Sequence, residues 1–249
     1  MNKVSDETRK TRSDGAQSRE RLLLAAMRLF AEHGFATTST REIALAAGAN
    51  IASISYYFGD KAGLYRAAFN QQAPYRGKPL AACEDPQATL RDSLQAFYSM
   101  LLEPLKQGDM ARLRLRLWFR EMLEPTGLWR EEIDTGIKPV HAHLVQMLGR
   151  HMGIAEPGDD LTRLAFSVVG LAVQMMVCRD VIDEVAPQLL AKDEAIDTWM
   201  ARLVDYAEAM VHAEQARLAR LASVETSVEC TAPETKSPKK SQPRKKNNA

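Results

Sequence analysis

Apolar residues recur along most of this chain at three- and four-residue intervals, the spacing of amphipathic helices. In residues 18–33, SRERLLLAAMRLFAEH, that spacing takes in Leu22, Ala26, Leu29, Phe30 and His33, and Gly34 ends the run. Ser18 is positioned as its N-cap, with a hydroxyl able to accept from a first-turn N–H. The spacing next predicts a short helix over 40–47, with Thr40 as cap and Gly48 as a left-handed stop. A further helix over 61–70 is entered through Asp60. PYRGKPLAACEDPQ then carries three prolines and a glycine and reads as a boundary. Beyond it, helical runs are predicted near 87–103, 109–123, 128–152, 159–182 and 193–222.

Two segments resist the pattern. MARLRLRLWFREML alternates Arg and Leu from Arg112 to Leu117 with a period of two, as a half-buried strand would. The same residues also pair at i, i+4 (Leu113 with Leu117, Trp118 with Met122), and Leu and Arg are good helix formers, so the segment reads as helix. NIASISYYF is rich in β-branched and aromatic residues, which favour strands. A lone strand would leave its backbone groups unpaired, so 51–58 also reads as a short helix. Ile51, Ile54 and Phe58 then share one face, with Ala52, Ser53, Tyr56 and Tyr57 on the flanks and Ser55 opposite. The expected fold class is all-α.

Helices over 18–33, 40–47 and 51–58, the last two joined by the tight turn Gly48–Asn50, form a helix-turn-helix. FATTSTREIALAAGANIASISYYFGDKAGLY resembles the DNA-binding region of the TetR family of bacterial transcriptional regulators, including its F-x-x-K-x-x-L entry to a fourth helix at Phe58, Lys61 and Leu64. NIASISYYFGDKAGLY, FREMLEPTG and IKPVHAHLVQMLGRHMG together are similar to the CecR-type subfamily. The expected organisation is a flexible arm over 1–17, a DNA-binding domain over 18–70 and a linker over 71–86. A ligand-binding and dimerisation domain follows over 87–222, and a disordered basic tail over 223–249.

A recognition helix presents its exposed face to the major groove, where base edges carry a distinct code. Small Ala52, Ser53 and Ser55 permit close approach, and Ala52 suits a thymine methyl. The resemblance implies that Arg41 reaches a base edge, with guanine the expected base, and that Thr40, Ser53, Tyr57 and Lys61 hold phosphates. Ile51 and Tyr56 complete the DNA-facing set, with packing an equal reading for Tyr56. Asn50 suits a helix cap and a base contact equally, and Arg41 alone would read as a solvated helix residue. The tail suits nonspecific phosphate binding and simple solubilisation equally.

The resemblance also implies a homodimer, paired through two long helices near 161–181 and 195–215, on a palindromic double-stranded operator. It implies a small-molecule ligand of unknown identity inside the bundle, a common place for cavities. Phe97, Leu101, Trp118, Met122, His141, Leu144, Met147, Phe166 and Met175 form the candidate lining, although such stripes are more often plain core. Arg120 and Glu121 are polar neighbours that would meet a ligand or each other.

Composition narrows the remaining classes. With 249 residues, 45% hydrophobic and 26% charged, the totals are those of an ordinary soluble globular protein. The net charge of +1 conceals 10 basic against 7 acidic residues over 1–70, 17 against 22 over 71–222, and 6 against 3 over 223–249. Any polyanion is therefore expected to be met at the ends, although so small an imbalance decides little alone. No apolar run comes near the roughly 20 residues that span a bilayer, the N-terminus is polar, and no membrane partner is expected. Cys83, Cys178 and Cys230 are few and odd in number, which fits a reducing cytoplasm. His141 and His143 stand about 200° apart on a helix and do not chelate one ion, so neither metal nor cofactor is expected. No G-x-S-x-G, H-E-x-x-H or phosphate-binding glycine loop is present. The rival reading is an α-helical small-molecule-binding protein or enzyme with a vestigial helix-turn-helix, for which only Glu121 and His141 offer an acid and a base.

Overall fold

The computed structural model describes residues 4–71, 85 and 87–229, with side chains over 14–71, 85 and 87–223. In chain order the α-helices are α1 (Val4–His33), α2 (Thr40–Ala46), α3 (Ala52–Phe58), α4 (Lys61–Asn70), α5 (Leu90–Leu102), α6 (Gly108–Leu123), α7 (Leu128–Glu132), α8 (Lys138–Met152), α9 (Asp159–Val177), α10 (Arg179–Val185) and α11 (Asp193–Glu229). No strand occurs among the described residues, and the fold is all-α. The ambiguous stretches 109–123 and 52–58 are both helical.

The chain divides into two compact units, residues 1–211 and residues 212–249. The first contains two apolar cores. In the N-terminal one, Leu22, Met27 and Phe30 of α1 meet Ile43 of α2, Ile54 of α3, and Leu64 and Phe69 of α4. Leu117 of α6 closes this core from the other half of the sequence. The second core joins α5, α8, α9 and α11 through residues such as Leu94, Phe97, Leu144, Val168 and Leu203. Its buried Tyr98 hydroxyl donates to the Val168 carbonyl at 2.9 Å, so burial leaves that polar group satisfied.

Several expectations are corrected. α1 begins at Val4, so Ser18 lies inside the helix rather than capping it. No proline interrupts residues 4–17, and the single Gly15 costs a helix only about 1 kcal/mol. The run 128–152 is divided by a wide π turn over Ile133–Ile137. Pro139 has no N–H to give the preceding turn, and Gly136 lies where a Cβ would stand 2.5 Å from the Glu132 carboxylate. The run 159–182 changes course at Cys178, which bonds back to the Gln174 carbonyl and forward to the Ile182 N–H. α9 is the one described helix long and apolar enough to cross a membrane, contrary to the expectation of none. It buries Leu161, Leu164, Ala165, Val168, Ala172 and Met175 in the protein core.

In the second unit the helical course runs to Glu229, past the expected limit at 222, with no proline or glycine before Pro233 to stop it. Within it Arg217 pairs with Glu214 at 2.6 Å. The expected linker 71–86, apart from Gln71 and Asp85, and the tail beyond 229 lie outside the described residues.

Candidate nucleic-acid interface

The start of α2 is fixed by reciprocal bonds. Ser39 Oγ accepts from the Glu42 N–H at 3.2 Å, and Glu42 Oε2 accepts from the Ser39 N–H at 2.8 Å. Ser39 is therefore the cap, and Thr40, expected in that role, is the first helical residue. The Glu42 carboxyl is held below its usual range first by the Ser39 backbone bond and then by the Ser39 hydroxyl. α2 buries Ile43 and Ala44 and leaves Arg41 and Leu45 exposed.

Gly48 ends α2 at φ +59°, the left-handed conformation expected of it. Asn50 Oδ1 accepts from the Ala52 N–H at 2.9 Å, so its side chain starts α3. α3 is anchored by Ile54, 2% exposed. Phe58 is half-buried, as a core-facing residue should be, but Ile51 is 49% exposed. Ile51 precedes the first full turn of α3 and so does not join Ile54 on the inner face. Ala52, Ser55 and Tyr56 are exposed, Tyr56 at 82%, while Ser53 and Tyr57 are half-buried.

Asp60 caps α4 as expected, its Oδ1 accepting from the Gly63 N–H at 2.7 Å. Gly63 approaches so closely that a Cβ would stand 2.0 Å from the Phe58 carbonyl. Lys61 lies 4.6 Å over the Phe35 ring and donates to the Ala36 carbonyl at 3.4 Å. None of Thr40, Arg41, Asn50, Ile51, Ala52, Ser53, Ser55, Tyr56, Tyr57 and Lys61 is buried. Together they line the outer side of α2, the turn, α3 and the start of α4. α3 itself carries no charged side chain. It offers hydroxyls, a methyl and aromatic edges, groups suited to the donor, acceptor and methyl pattern of the major groove. Leu45, 82% exposed, lies four residues beyond Arg41 on the same helical face.

The nine candidate ligand residues separate. Phe97, Leu101, Leu144, Met147 and Met175 are buried together in the bundle core. Trp118 packs instead against the N-terminal core, beside Trp129 at 4.8 Å, and donates Nε1–H to Glu132 at 3.2 Å. Met122 is 37% exposed and Phe166 60% exposed. His141 stacks on Phe166 at 4.1 Å, and its buried Nε2 has no partner among the described residues. Burial lowers its pKa and favours the neutral imidazole.

Arg120 and Glu121 do not meet each other. Arg120 reaches Glu124 at 3.3 Å and the Glu32 carbonyl at 3.4 Å. Glu121 is fully buried and accepts from the Tyr65 hydroxyl at 2.7 Å, the Thr126 N–H at 2.9 Å and the Trp129 N–H at 3.1 Å. This carboxylate joins α4 to α6 and to the start of α7, and its oxygens are committed there rather than to His141.

Two family models match the chain. Bacterial regulatory proteins, tetR family, covers residues 22–68, and the C-terminal domain of the HTH-type transcriptional dual regulator CecR covers residues 90–213. The HTH-type transcriptional dual regulator CecR of Shigella flexneri is 32% identical over 150 residues, 56% of this chain. The probable HTH-type transcriptional regulator YttP of Bacillus subtilis is 29% identical over 118 residues, 47% of this chain. The matches span 66% and 56% of those two relatives' own lengths. The crystal structure of a putative transcriptional regulator from Pseudomonas aeruginosa superimposes with a TM-score of 0.55 at 19% identity, covering 80% of this chain and 90% of that one. At that identity the likeness speaks for the fold.

Proposed function

We propose that this chain, which belongs to the TetR family of bacterial transcriptional regulators, is a CecR-type regulator acting as a homodimeric repressor in the cytoplasm. A small molecule bound in the helical bundle would release it from a palindromic operator. One observation carries the reading: an uncharged helix face of Ala52, Ser55 and Tyr56 stands exposed, fixed by Ile54 within, by the Asn50 side chain at its start and by Gly59 at its end. Such a face has no packing role in the single chain, and its chemistry suits base edges. Pairing is supported by apolar exposure on the two long helices expected to mediate it, at Phe166 and Val177 of α9 and Tyr206 of α11. A symmetric pair spaces its reading helices about 34–36 Å apart, one duplex turn. Release requires a ligand that binds the two spacings with different affinity. The reading assigns the chain no catalytic step and no cofactor.

Fluorescence anisotropy tests it, with a duplex selected from a random-sequence library by the full-length protein and a scrambled duplex as control. The expected result is a palindromic selected sequence, tight binding to it alone, and a bound stoichiometry of two chains. Arg41→Ala should weaken that binding by roughly 1–3 kcal/mol, the value of a good base contact, without lowering the melting temperature. Equal, weak binding of both duplexes would refute the regulator and leave the small-molecule protein with a vestigial helix-turn-helix.

A further inference from the structure

We propose that Arg19 of α1 is a DNA-backbone anchor, aimed at a phosphate by the recognition helix itself. The inference rests on the regulator reading above. Arg19 is exposed, and its guanidinium carbon lies 5.1 Å over the Phe58 ring, at the last residue of α3. One helical turn earlier, Gly15 lies against α3, where a Cβ would stand 3.3 Å from the Tyr57 hydroxyl. The segment Gly15–Arg19 therefore flanks the end of the recognition helix that carries Tyr57.

The guanidinium is held but not consumed. A cation over a ring face is held there by the ring's quadrupole, and an arginine so held keeps N–H groups for a planar, bidentate acceptor. Among the described residues Arg19 has no carboxylate or hydrogen-bond acceptor as partner, unlike Arg163, which is held by Asp159 and Asp160. Lys61 likewise rests over a ring, that of Phe35 beside the start of α4, although its ammonium also donates to the Ala36 carbonyl. Because α3 brings no charge, charge-assisted contact with the polyanion comes from its flanks, and an arginine held over a ring is preorganised for phosphate. Sequence reasoning missed Arg19 because its relation to Phe58 is tertiary.

The test is the salt dependence of binding by full-length Arg19→Gln and Arg19→Lys, measured with the selected and the scrambled duplex. A lost phosphate contact lowers the slope of log affinity against log salt by about 0.9 and weakens both duplexes together, by roughly tenfold at low salt. Arg19→Lys keeps the charge and the slope while losing the planar fork, so part of the affinity returns. The melting temperature should stay within a few degrees of wild type, since an exposed cation–π contact contributes only about 0.5–1 kcal/mol. An unchanged slope in Arg19→Gln overturns the proposal. So does a loss confined to the selected duplex, which would make Arg19 a base reader. If wild-type protein itself fails to distinguish the duplexes, the regulator reading fails first and takes this assignment with it.

Discussion

Replacing Tyr65 with phenylalanine removes one oxygen and leaves the ring where it is, wedged edge-on against Phe30 at 4.9 Å and Phe35 at 5.0 Å. The lost oxygen donates at 2.7 Å to Glu121, a carboxylate with no exposure at all. Its other donors, Thr126 and the Trp129 N–H, remain. A hydrogen bond to a buried charged group contributes about 1.5–3 kcal/mol, so Tyr65→Phe should destabilise by that amount. For a chain of this size about 1 kcal/mol moves the midpoint by roughly 2–4 °C. Glu121→Leu should cost more, since it strands the Tyr65 hydroxyl and two backbone N–H groups at about 1–3 kcal/mol apiece. Thermal and urea unfolding followed by circular dichroism, at one fixed protein concentration, would measure both. Tyr65→Phe within about 0.5 kcal/mol of wild type, the range of an ordinary surface change, would refute the reasoning.

The same bond sets a pH dependence. Burial first, and then the bond to Glu121, push the Tyr65 hydroxyl above its usual value. A group whose folded pKa is raised gives its full stability below the unfolded value and loses it as pH rises. Stability should therefore fall above about pH 10, and less steeply in Tyr65→Phe. Ser39→Ala removes the α2 cap and should cost about 0.5–2 kcal/mol by denaturant unfolding. Gly63→Ala would force a Cβ to within 2.0 Å of the Phe58 carbonyl, a backbone atom that cannot swing aside. It should lower the melting temperature well beyond Gly48→Ala, whose Cβ meets nothing within 4 Å and whose positive φ costs only about 1 kcal/mol.

The reading head was legible because its determinants are local. Gly48, Asp60 and the pattern around Ile54 set the turn, the cap and the inner face within a few residues of one another. The Ser39 cap was also legible, since S-x-x-E at 39–42 is a capping box, but the neighbouring Thr40 hydroxyl competed for the role. Pro139 and Gly136 similarly signalled a break inside 128–152 that strong flanking periodicity outweighed. The fate of α6 was not legible. Leu117 serves the N-terminal core while Leu115, two residues earlier, packs against the bundle. Periodicity tells which residues turn inward, not which of two cores they enter, so Trp118 and Met122 were grouped with residues they do not join. The Tyr65–Glu121 bond spans 56 positions and leaves no trace in either local pattern.

The absence of charge on α3 bears on how such a protein would find its site. A reading face of alanine, serine and tyrosine has no charge with which to attract an arbitrary stretch of duplex, whereas cations at its margins are attracted to all of them alike. Sliding along DNA is then governed by the margins, and the decision to stop by the face. Descendants could drift to new operators through changes at Ala52 or Ser55 while their speed of search stayed the same.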